Sequence, residues 1–200
     1  MKGHWKEVSK NACLGISESA GKKMNIIMYR FQWIVLLLLA AGSCSKQEFD
    51  TLMVKQDSDI ERYADTFADS LVTVTSGVWR ITKEKGNADV VVARGDSIVF
   101  NYKAHIFSSG PGQLFDTNIF EDGVAAGFGH ELHYYSPRKS LAGRGHLLEG
   151  LERGLSGASK GERFYLIFSA RYGFGSVQTA MVPKNSPLIY EVWIMDVKKN

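Results

Sequence analysis

The chain has 200 residues, of which 44% are hydrophobic and only four are prolines. This length and composition predict one globular domain with further sequence at an end. The formal net charge is +3, but from residue 44 onward 18 lysines and arginines stand against 19 aspartates and glutamates, a net charge of −1. Because a nucleic-acid-binding domain normally carries a cluster of excess positive charge, the composition argues against nucleic acid as a partner.

The segment MYRFQWIVLLLLAAGSCSKQ, residues 28–47, has the parts of a secretion signal. Arg30 supplies a positive flank, residues 34–41 form a short apolar run, and small residues precede Cys44. A transmembrane helix needs about 20 apolar residues, and this run is much shorter. Small residues before a cysteine resemble the bacterial lipoprotein signal, although the usual branched residue three positions before the cysteine is Ala41 here. The resemblance implies cleavage before Cys44 and lipidation of that cysteine.

On this interpretation residues 1–43 are a leader and signal segment, and translation begins at Met24 or Met28. The mature protein is then expected to be anchored by its lipid to a membrane of the bacterial cell envelope, on the periplasmic or surface side. No cysteine remains for a disulfide, since Cys13 lies in the removed segment and Cys44 carries the lipid. The fold is therefore expected to form without a disulfide.

The segment 44–75 is predicted to hold a tether and a short helix. Residues 45–57 are polar and are interpreted as the flexible tether. Ser58 and Glu61 then have the spacing of a capping box, and four apolar residues follow at helical intervals. These are Ile60, Tyr63, Phe67 and Leu71. We predict an amphipathic helix over about 59–72 whose apolar stripe packs on the domain or, as the less favoured alternative, on a second copy of the chain.

Downstream of Ser76 the sequence is typical of strands. Four segments rich in β-branched and aromatic residues alternate with a period of two, namely 78–82, 98–107, 163–170 and 188–197. Two strand faces are candidates for the core: Ile98, Phe100, Tyr102, Ala104 and Ile106 on one strand, and Leu188, Tyr190, Val192 and Ile194 on the other. Such strands with one short helix predict an α+β domain with an antiparallel sheet.

The short helix has an apolar side formed by Leu147, Leu148, Leu151 and Leu155. It also contains Gly150 and Gly154. Glycine within a helix costs about 1 kcal/mol relative to alanine, so a helix this short that contains two must gain its stability from tertiary packing. We therefore expect another part of the chain to lie closely against both glycines.

Five segments in this order resemble the FKBP family of peptidyl-prolyl cis-trans isomerases: GDSIVFNYKA, QLFDTN, LLEGLERGLSGASKGERFYLIF, YGFG and VPKNSPLIYEVWIMDV. The resemblance covers residues 76–200, with an expanded loop at 118–137. It implies an α+β fold in which a five- to six-stranded antiparallel sheet curls around a short helix. It also implies isomerisation of X-Pro bonds in exported or envelope proteins, with proline-containing segments of those proteins as partners and without a cofactor or metal ion.

The pocket of the family lies between the helix and the sheet. The resemblance assigns nine residues to it: Tyr102, Phe115, Asp116, Leu147, Leu148, Leu151, Phe174, Val182 and Tyr190. It implies that the backbone amide near Leu148 meets the substrate carbonyl and that the Asp116 carboxylate helps to polarise the rotating bond. Tyr102, Phe115, Asp116 and Leu148 are thus the candidate catalytic residues, and the other five are candidate substrate-binding residues. Plain core packing is the alternative for each.

Three departures from the family pattern concern this pocket. Leu151 replaces a floor tryptophan, Phe174 replaces a tyrosine whose hydroxyl donates to ligands, and Arg138 and Ser140 stand where the family has two wall phenylalanines. These changes favour a second hypothesis, a binding module or chaperone on the same fold with little catalysis.

The expanded loop carries aromatic residues that bear on the altered wall. We expect Tyr134 or Tyr135 to restore it, and the alternative is that the loop aromatics only cover the edge of the sheet. The HELH stretch at 130–133 lacks the HExxH spacing that places two histidines on one helix face, so no metal site is predicted there.

Overall fold

The computed structural model describes residues 46–67, 70–131 and 135–200. The chain divides into two compact units, residues 1–51 and 52–200. The described residues of the first unit, 46–51, are helical, and the leader, the signal and Cys44 lie outside the described residues. In the described ranges, no helix is both long enough and apolar enough to cross a membrane.

The second unit is built on antiparallel strands. They are β1 Leu71–Thr75, β2 Val78–Glu84, β3 Asn87–Val91, β4 Ser97–Phe107, β5 Pro111–Thr117, β6 Arg138–Leu141, β7 Ser159–Lys160, β8 Arg163–Phe168 and β9 Leu188–Lys198. Seven of them form one sheet in the order β1-β2-β8-β9-β4-β5, with β6 also paired to β4, while β3 and β7 form a separate pair. The four strands predicted from alternation are β2, β4, β8 and β9.

In the part of the chain that the structure describes, three α-helices accompany these strands. Helix α1 covers residues 46–64, α2 is Phe120–Ala125 and α3 is Glu149–Leu155. Short 3-10 turns cover Asp65–Phe67 and Ala170–Tyr172. The predicted α+β class, an antiparallel sheet with a short helix and a preceding amphipathic helix, is confirmed. The main sheet has one strand more than the upper number expected.

The larger core lies between α3 and one face of the sheet. The predicted inward residues of β4 and β9 belong to it except Ile106, which is only partly buried near the end of β4. Phe100, Leu188 and Val192 are fully buried there. Leu151 and Leu155 of α3 fill the same core. The period-two pattern therefore identified the correct faces of both strands.

The smaller core lies on the opposite face of the sheet, under α1. Its buried members are Ile60 and Ala64 of α1 with Ile81, Phe107, Ile167 and Ile189 of the sheet. Strand β9 is central and covered on both faces, so consecutive residues such as Leu188 and Ile189 are both buried. Of the predicted stripe, Ile60, Tyr63 and Phe67 pack on the domain, which is the favoured of the two interpretations made from the sequence. The prediction is wrong for Leu71, which begins β1 and is exposed.

The position of α1 corrects two predictions. The helix is already formed at residue 46 and ends at 64, so the tether predicted at 45–57 and the helix predicted at 59–72 are both wrong in their bounds. The polar composition of residues 45–57 suggested a solvated tether, but the segment packs on the domain: Met53 is fully buried and Gln56, although polar, is only 7% exposed. The Gln56 side chain forms hydrogen bonds to two backbone groups of the domain. A buried glutamine with both bonds made is as compatible with a packed helix as an apolar residue.

Candidate functional site

A cavity of about 560 Å³ opens between the start of α3, the sheet and the loop that precedes β9. This volume lies within the range of about 300–1,000 Å³ that is typical of ligand pockets. All nine residues that the resemblance assigned to a pocket line this one cavity: Tyr102, Phe115, Asp116, Leu147, Leu148, Leu151, Phe174, Val182 and Tyr190. Residues from five separate stretches of the chain therefore meet at one place.

Tyr102 lies where β4 changes its neighbour along one edge. Residues 97–100 pair with β6, whereas residues 103–107 pair with β5. The backbone amide of Tyr102 falls between the two ladders and donates to the Oδ1 atom of Asn118 at 2.8 Å. The Thr117 hydroxyl donates to the Tyr102 carbonyl, also at 2.8 Å. These two side chains replace the missing ladder bonds and hold the backbone that carries Tyr102.

Tyr102 and Asp116 form the polar contact of the cavity. The Tyr102 hydroxyl donates to the Asp116 Oδ2 atom at 2.8 Å, and Asp116 lies on β5 opposite Ala104. Burial raises the pKa of Tyr102 to about 12, the Asp116 charge adds to the rise, and Arg138 opposes it. The hydroxyl is therefore protonated at neutral pH and acts as a hydrogen-bond donor to the carboxylate.

The raised pKa of Tyr102 predicts a loss of stability in alkali. In the unfolded chain a tyrosine loses its proton near pH 10, whereas folded Tyr102 retains it up to about 12. As the pH rises through this window, the unfolded state releases a proton that the folded state keeps, so the free energy of unfolding falls. Burial also raises the pKa of Tyr190, so this residue contributes to the same loss of stability in alkali.

The measurement is urea unfolding from about pH 9 to about pH 11.5, where Tyr102→Phe should lose less stability than the unmodified chain. An identical loss in both proteins would contradict the assignment.

The apolar wall of the cavity is made of rings that contact one another. Tyr190 stacks on Phe168 with ring centroids 5.8 Å apart and an angle of 16° between the planes. Phe115 meets Tyr190 and Phe174 edge-on, at centroid distances of 6.0 and 6.2 Å. Edge-to-face and offset-stacked rings are favourable arrangements, so the wall is held by its own contacts. Tyr190 is only 4% exposed, which makes it part of the core as well as of the cavity.

Leu148, in the segment before α3, lines the cavity and carries a backbone amide without an acceptor in the described residues. Leu148 is the residue directly before the helix, and its carbonyl accepts from the Glu152 amide at 3.0 Å. Within residues 46–67, 70–131 and 135–200, the Leu148 amide has no hydrogen-bond acceptor. An amide at the start of a helix is an unpaired donor by geometry. The Leu148 N–H is thus available to a ligand carbonyl.

Glu152 holds the segment that carries this amide. Its Oε1 atom accepts from the amides of His146 and Leu147 at 3.0 and 3.1 Å, and its Oε2 atom accepts from Gly143 at 2.6 Å. One carboxylate therefore binds three backbone donors that the strand and the helix leave unpaired. Charge-assisted bonds of this kind are stronger than neutral ones.

The change Glu152→Gln is expected to lower the free energy of unfolding by about 1–3 kcal/mol. The glutamine amide group would place a donor against either the Gly143 amide or the amides of His146 and Leu147, so the network is broken on one side. The matched control is Glu149→Gln in the same helix, because Glu149 forms a surface ion pair with Arg153. Equal urea midpoints for the two variants would disprove the expectation.

The residues that the sequence placed at the cavity wall have different positions in the structure. Arg138 lines the cavity. Ser140 instead pairs opposite Ile98, and its Oγ atom is buried without a hydrogen-bond partner in the described part of the chain. Tyr134 lies outside the described residues.

Tyr135 does not line the cavity, so the expectation that it restores the wall is wrong for this residue. Its ring packs edge-on against Phe120 of α2 at 5.3 Å, and its hydroxyl donates to the Gly129 carbonyl at 2.9 Å. A Cβ atom on Gly123 would lie 2.2 Å from the Tyr135 ring, so the absent side chain of Gly123 makes room for it. The loop therefore uses this aromatic residue for its own packing.

Sequence reasoning missed some of the residues at the cavity. Phe100, His146 and residues 179–181 also line it. Phe100 shares a strand face with Tyr102, so the period of two contained a signal for it. Residues 179–181 lie in a loop without periodicity, and no sequence signal identifies them. In the described ranges, no group of three or more histidine, cysteine, aspartate or glutamate residues is placed to hold a metal ion.

Comparisons with known proteins agree with the geometry. The family model for the FKBP-type peptidyl-prolyl cis-trans isomerase matches residues 89–195. FK506-binding protein 1B of Aspergillus fumigatus is 24% identical over 123 residues, which is 61% of this chain and 95% of the fungal protein. FK506-binding protein 1A of the same fungus is 26% identical over 122 residues, which is 60% of this chain and 95% of the relative.

Among solved structures, wheat FKBP73 with its three FKBP domains shares the fold with a TM-score of 0.52 and 18% identity. The match covers 66% of this chain and 50% of the wheat chain. All the residues that line the cavity fall within the segment 89–195 that the family model matches.

Proposed function

The chain belongs to the family of FKBP-type peptidyl-prolyl cis-trans isomerases, and on that premise we propose that its cavity binds and isomerises X-Pro segments of exported proteins. The isomerase activity and the use of proline-containing peptides follow from the family. The observation that carries the assignment to this cavity is the convergence of Tyr102, Asp116 and the free Leu148 amide on one apolar pocket.

Isomerisation of an X-Pro bond requires an apolar cavity around the rotating bond rather than a nucleophile. Rotation about a peptide bond has a barrier of ~18–20 kcal/mol because the nitrogen lone pair is conjugated with the carbonyl. In the twisted transition state this conjugation is lost, and the bond is less dipolar than in the planar ground state. A cavity walled by Phe115, Phe174 and Tyr190 favours the less dipolar state and buries the proline ring.

The polar groups orient the substrate in this proposal. The Leu148 amide donates to a substrate carbonyl and fixes the peptide on one side of the rotating bond. On the other side, the Asp116 carboxylate, held by the Tyr102 hydroxyl, faces the rotating group. Interactions that strengthen only in the transition state accelerate the reaction, whereas those equal in both states only improve binding.

Two departures at the cavity are proposed to weaken binding without abolishing catalysis. Leu151 offers a smaller apolar floor than a tryptophan, and Phe174 has no hydroxyl to donate. A net hydrogen bond contributes about 0.5–1.5 kcal/mol, so the missing hydroxyl corresponds to an affinity loss of roughly two- to tenfold.

The test is exchange NMR on an X-Pro peptide with the whole chain in mild detergent. Catalysed exchange between the cis and trans signals is expected, and Phe115→Ala should reduce it strongly because the main edge-on ring of the wall is lost. The matched control is Phe128→Ala, the same truncation at a residue outside the cavity lining. Loss of exchange in the control alone would rule out this cavity as the site.

We also propose that the protein acts at the bacterial cell envelope, anchored through a lipid on Cys44. Support comes from the charged flank, the short apolar run and the small residues before this cysteine. Its clients would then be exported or envelope proteins. The intact mass of protein isolated from its host tests this idea: the expected result is an N-terminus at Cys44 with acyl chains, and an N-terminus upstream of residue 40 would refute it.

A second candidate function, holding unfolded segments without catalysis, is favoured by apolar residues near the cavity mouth. Val177 and Met181 are 62% and 40% exposed, and Met181 lines the cavity. If holding dominates, the chain suppresses aggregation of an unfolded protein equally well with and without Phe115→Ala. If isomerisation dominates, Phe115→Ala removes the acceleration of a proline-limited refolding reaction.

A further inference from the structure

A closed ring of four hydrogen bonds lies at the base of the loop that precedes β9. The Ala170 amide donates to the Gln56 Oε1 atom at 2.9 Å, and the Gly175 amide donates to the Ala170 carbonyl at 2.9 Å. The Asn185 amide then donates to the Gly175 carbonyl at 2.7 Å. Gln56 completes the ring, because its Nε2 atom donates to the Asn185 carbonyl at 2.7 Å.

The loop closed by this ring forms one side of the cavity. Phe174 directly precedes Gly175, and residues 179–182 lie between Gly175 and Asn185. All five of these residues line the cavity. Of the four ring members, Gln56 is the one whose side chain provides the bonds, and it links both Ala170 and Asn185 to α1.

Gln56 is held in place by the packing of α1. Met53 and Ile60, three residues before and four residues after it, are fully buried, so all three lie on the same face of the helix. Gln56 itself is 7% exposed. The cavity loop belongs to the matched family segment 89–195, whereas Gln56 comes from the preceding helix, outside that segment.

We infer that Gln56 is a positioning residue for the cavity, through which α1 fixes the loop that contacts the substrate. The inference rests on the proposed binding of X-Pro segments in this cavity. Without Gln56, the Ala170 amide and the Asn185 carbonyl lose their partners, so the loop keeps the bonds of Gly175 to Ala170 and Asn185 but loses the two bonds that fix it to α1. A loop that must be ordered on binding costs part of the binding free energy, so substrate affinity decreases.

The experiment compares Gln56→Met with Gln47→Met in the whole chain. Methionine has the length of glutamine without its hydrogen-bonding groups, and Gln47 is an exposed residue of the same helix. We expect amide hydrogen exchange at Gly175 and Asn185 to be about tenfold faster in Gln56→Met, with the exchange of β4 and β9 unchanged. The Kd of an X-Pro peptide should rise about three- to tenfold while the exchange rate of the bound peptide stays the same.

A second variant keeps the test decisive if Gln56→Met does not fold. Gln56→Glu retains an acceptor for the Ala170 amide and loses the donor to the Asn185 carbonyl, so faster exchange at Asn185 and weaker peptide binding are again expected. Unchanged loop exchange, or exchange accelerated equally throughout the domain, would overturn the inference. If the unmodified chain binds no X-Pro peptide, the proposed function fails, and the exchange at Gly175 and Asn185 still decides the role of Gln56.

Discussion

Replacing Gly150 by alanine is expected to lower the free energy of unfolding by about 1–3 kcal/mol, even though alanine is the better helix former. Gly150 is buried in α3, and a Cβ atom there would lie 2.5 Å from the Cγ and Cδ1 atoms of Phe168. No unstrained contact of two carbon atoms is that short. Either the ring or the helix must move to accept one methyl group.

The displacement is expected to reach the cavity, because the ring of Phe168 also stacks on Tyr190. Phe168 is fully buried, so its ring has no empty space to enter. Pushing it away from α3 moves it against Tyr190, which lines the cavity. Gly150→Ala should therefore weaken the binding of an X-Pro peptide as well as the stability of the fold.

Gly154→Ala is the matched control, one helical turn further along α3. A Cβ atom at Gly154 would meet the Cδ1 and Cδ2 atoms of Leu166, the far ends of a flexible side chain, whereas at Gly150 it meets ring atoms of Phe168 that can move only together. The gain in helix propensity, about 1 kcal/mol, offsets part of this contact. Urea unfolding and peptide titration should show the smaller loss for Gly154→Ala. A larger loss at Gly154, or unchanged peptide affinity at Gly150, would contradict the argument.

Gly150 and Gly154 also show which part of the helix packing can be predicted from the sequence and which part cannot. Their presence in a short helix predicts close packing, because only packing can offset their poor helix propensity. The partners, Phe168 and Leu166, lie two residues apart on the same face of β8. That strand and that face are predictable from alternation, but the register between a helix and a strand depends on tertiary geometry. The sequence thus predicts that a contact exists and leaves its partner open.

Buried polar residues account for most of the structural features that were not predicted from the sequence. Gln56 and Asn118 are both buried and both bind backbone groups of other elements, and a polar residue carries no sign of this in a single sequence. Because Gln56 was interpreted as solvated, α1 was predicted too short and a tether was predicted over residues that are helical from 46 onward. The conformation of the expanded loop is equally unpredictable, and Tyr135 consequently packs on α2 instead of the cavity.

Most of the nine predicted residues that meet in the cavity lie on regular elements or directly beside them, whereas Phe174 and Val182 lie in the loop before β9. Tyr102, Phe115 and Tyr190 belong to strands whose alternation sets the direction of each side chain. Leu148 and Leu151 belong to the start of α3, where helical spacing does the same. The order of these segments along the chain then provided the family resemblance, which the comparison at residues 89–195 confirms.

The change Asp116→Ala is expected to lower kcat/KM by about ten- to hundredfold, the factor that corresponds to a loss of about 1.5–3 kcal/mol in the transition state. The Tyr102 hydroxyl donates to this carboxylate at 2.8 Å, and a hydrogen bond to a charged group contributes about 1.5–3 kcal/mol. Removing the acceptor leaves a hydroxyl on a 7% exposed side chain without its partner. It also removes the negative charge that faces the rotating bond in the proposed mechanism.

Three further variants distinguish the contribution of the Tyr102–Asp116 hydrogen bond from that of the Asp116 charge. Asp116→Asn keeps an oxygen that accepts from Tyr102. If the hydrogen bond dominates, this variant should lose less kcat/KM than Asp116→Ala. If the charge dominates, the two variants should lose the same kcat/KM. Tyr102→Phe removes the bond from the other side. Because the two residues act as a unit, the double variant Tyr102→Phe/Asp116→Ala should be no less active than the worse single variant. Exchange NMR on one X-Pro peptide measures all four proteins, and losses that simply add would show that Tyr102 and Asp116 work independently.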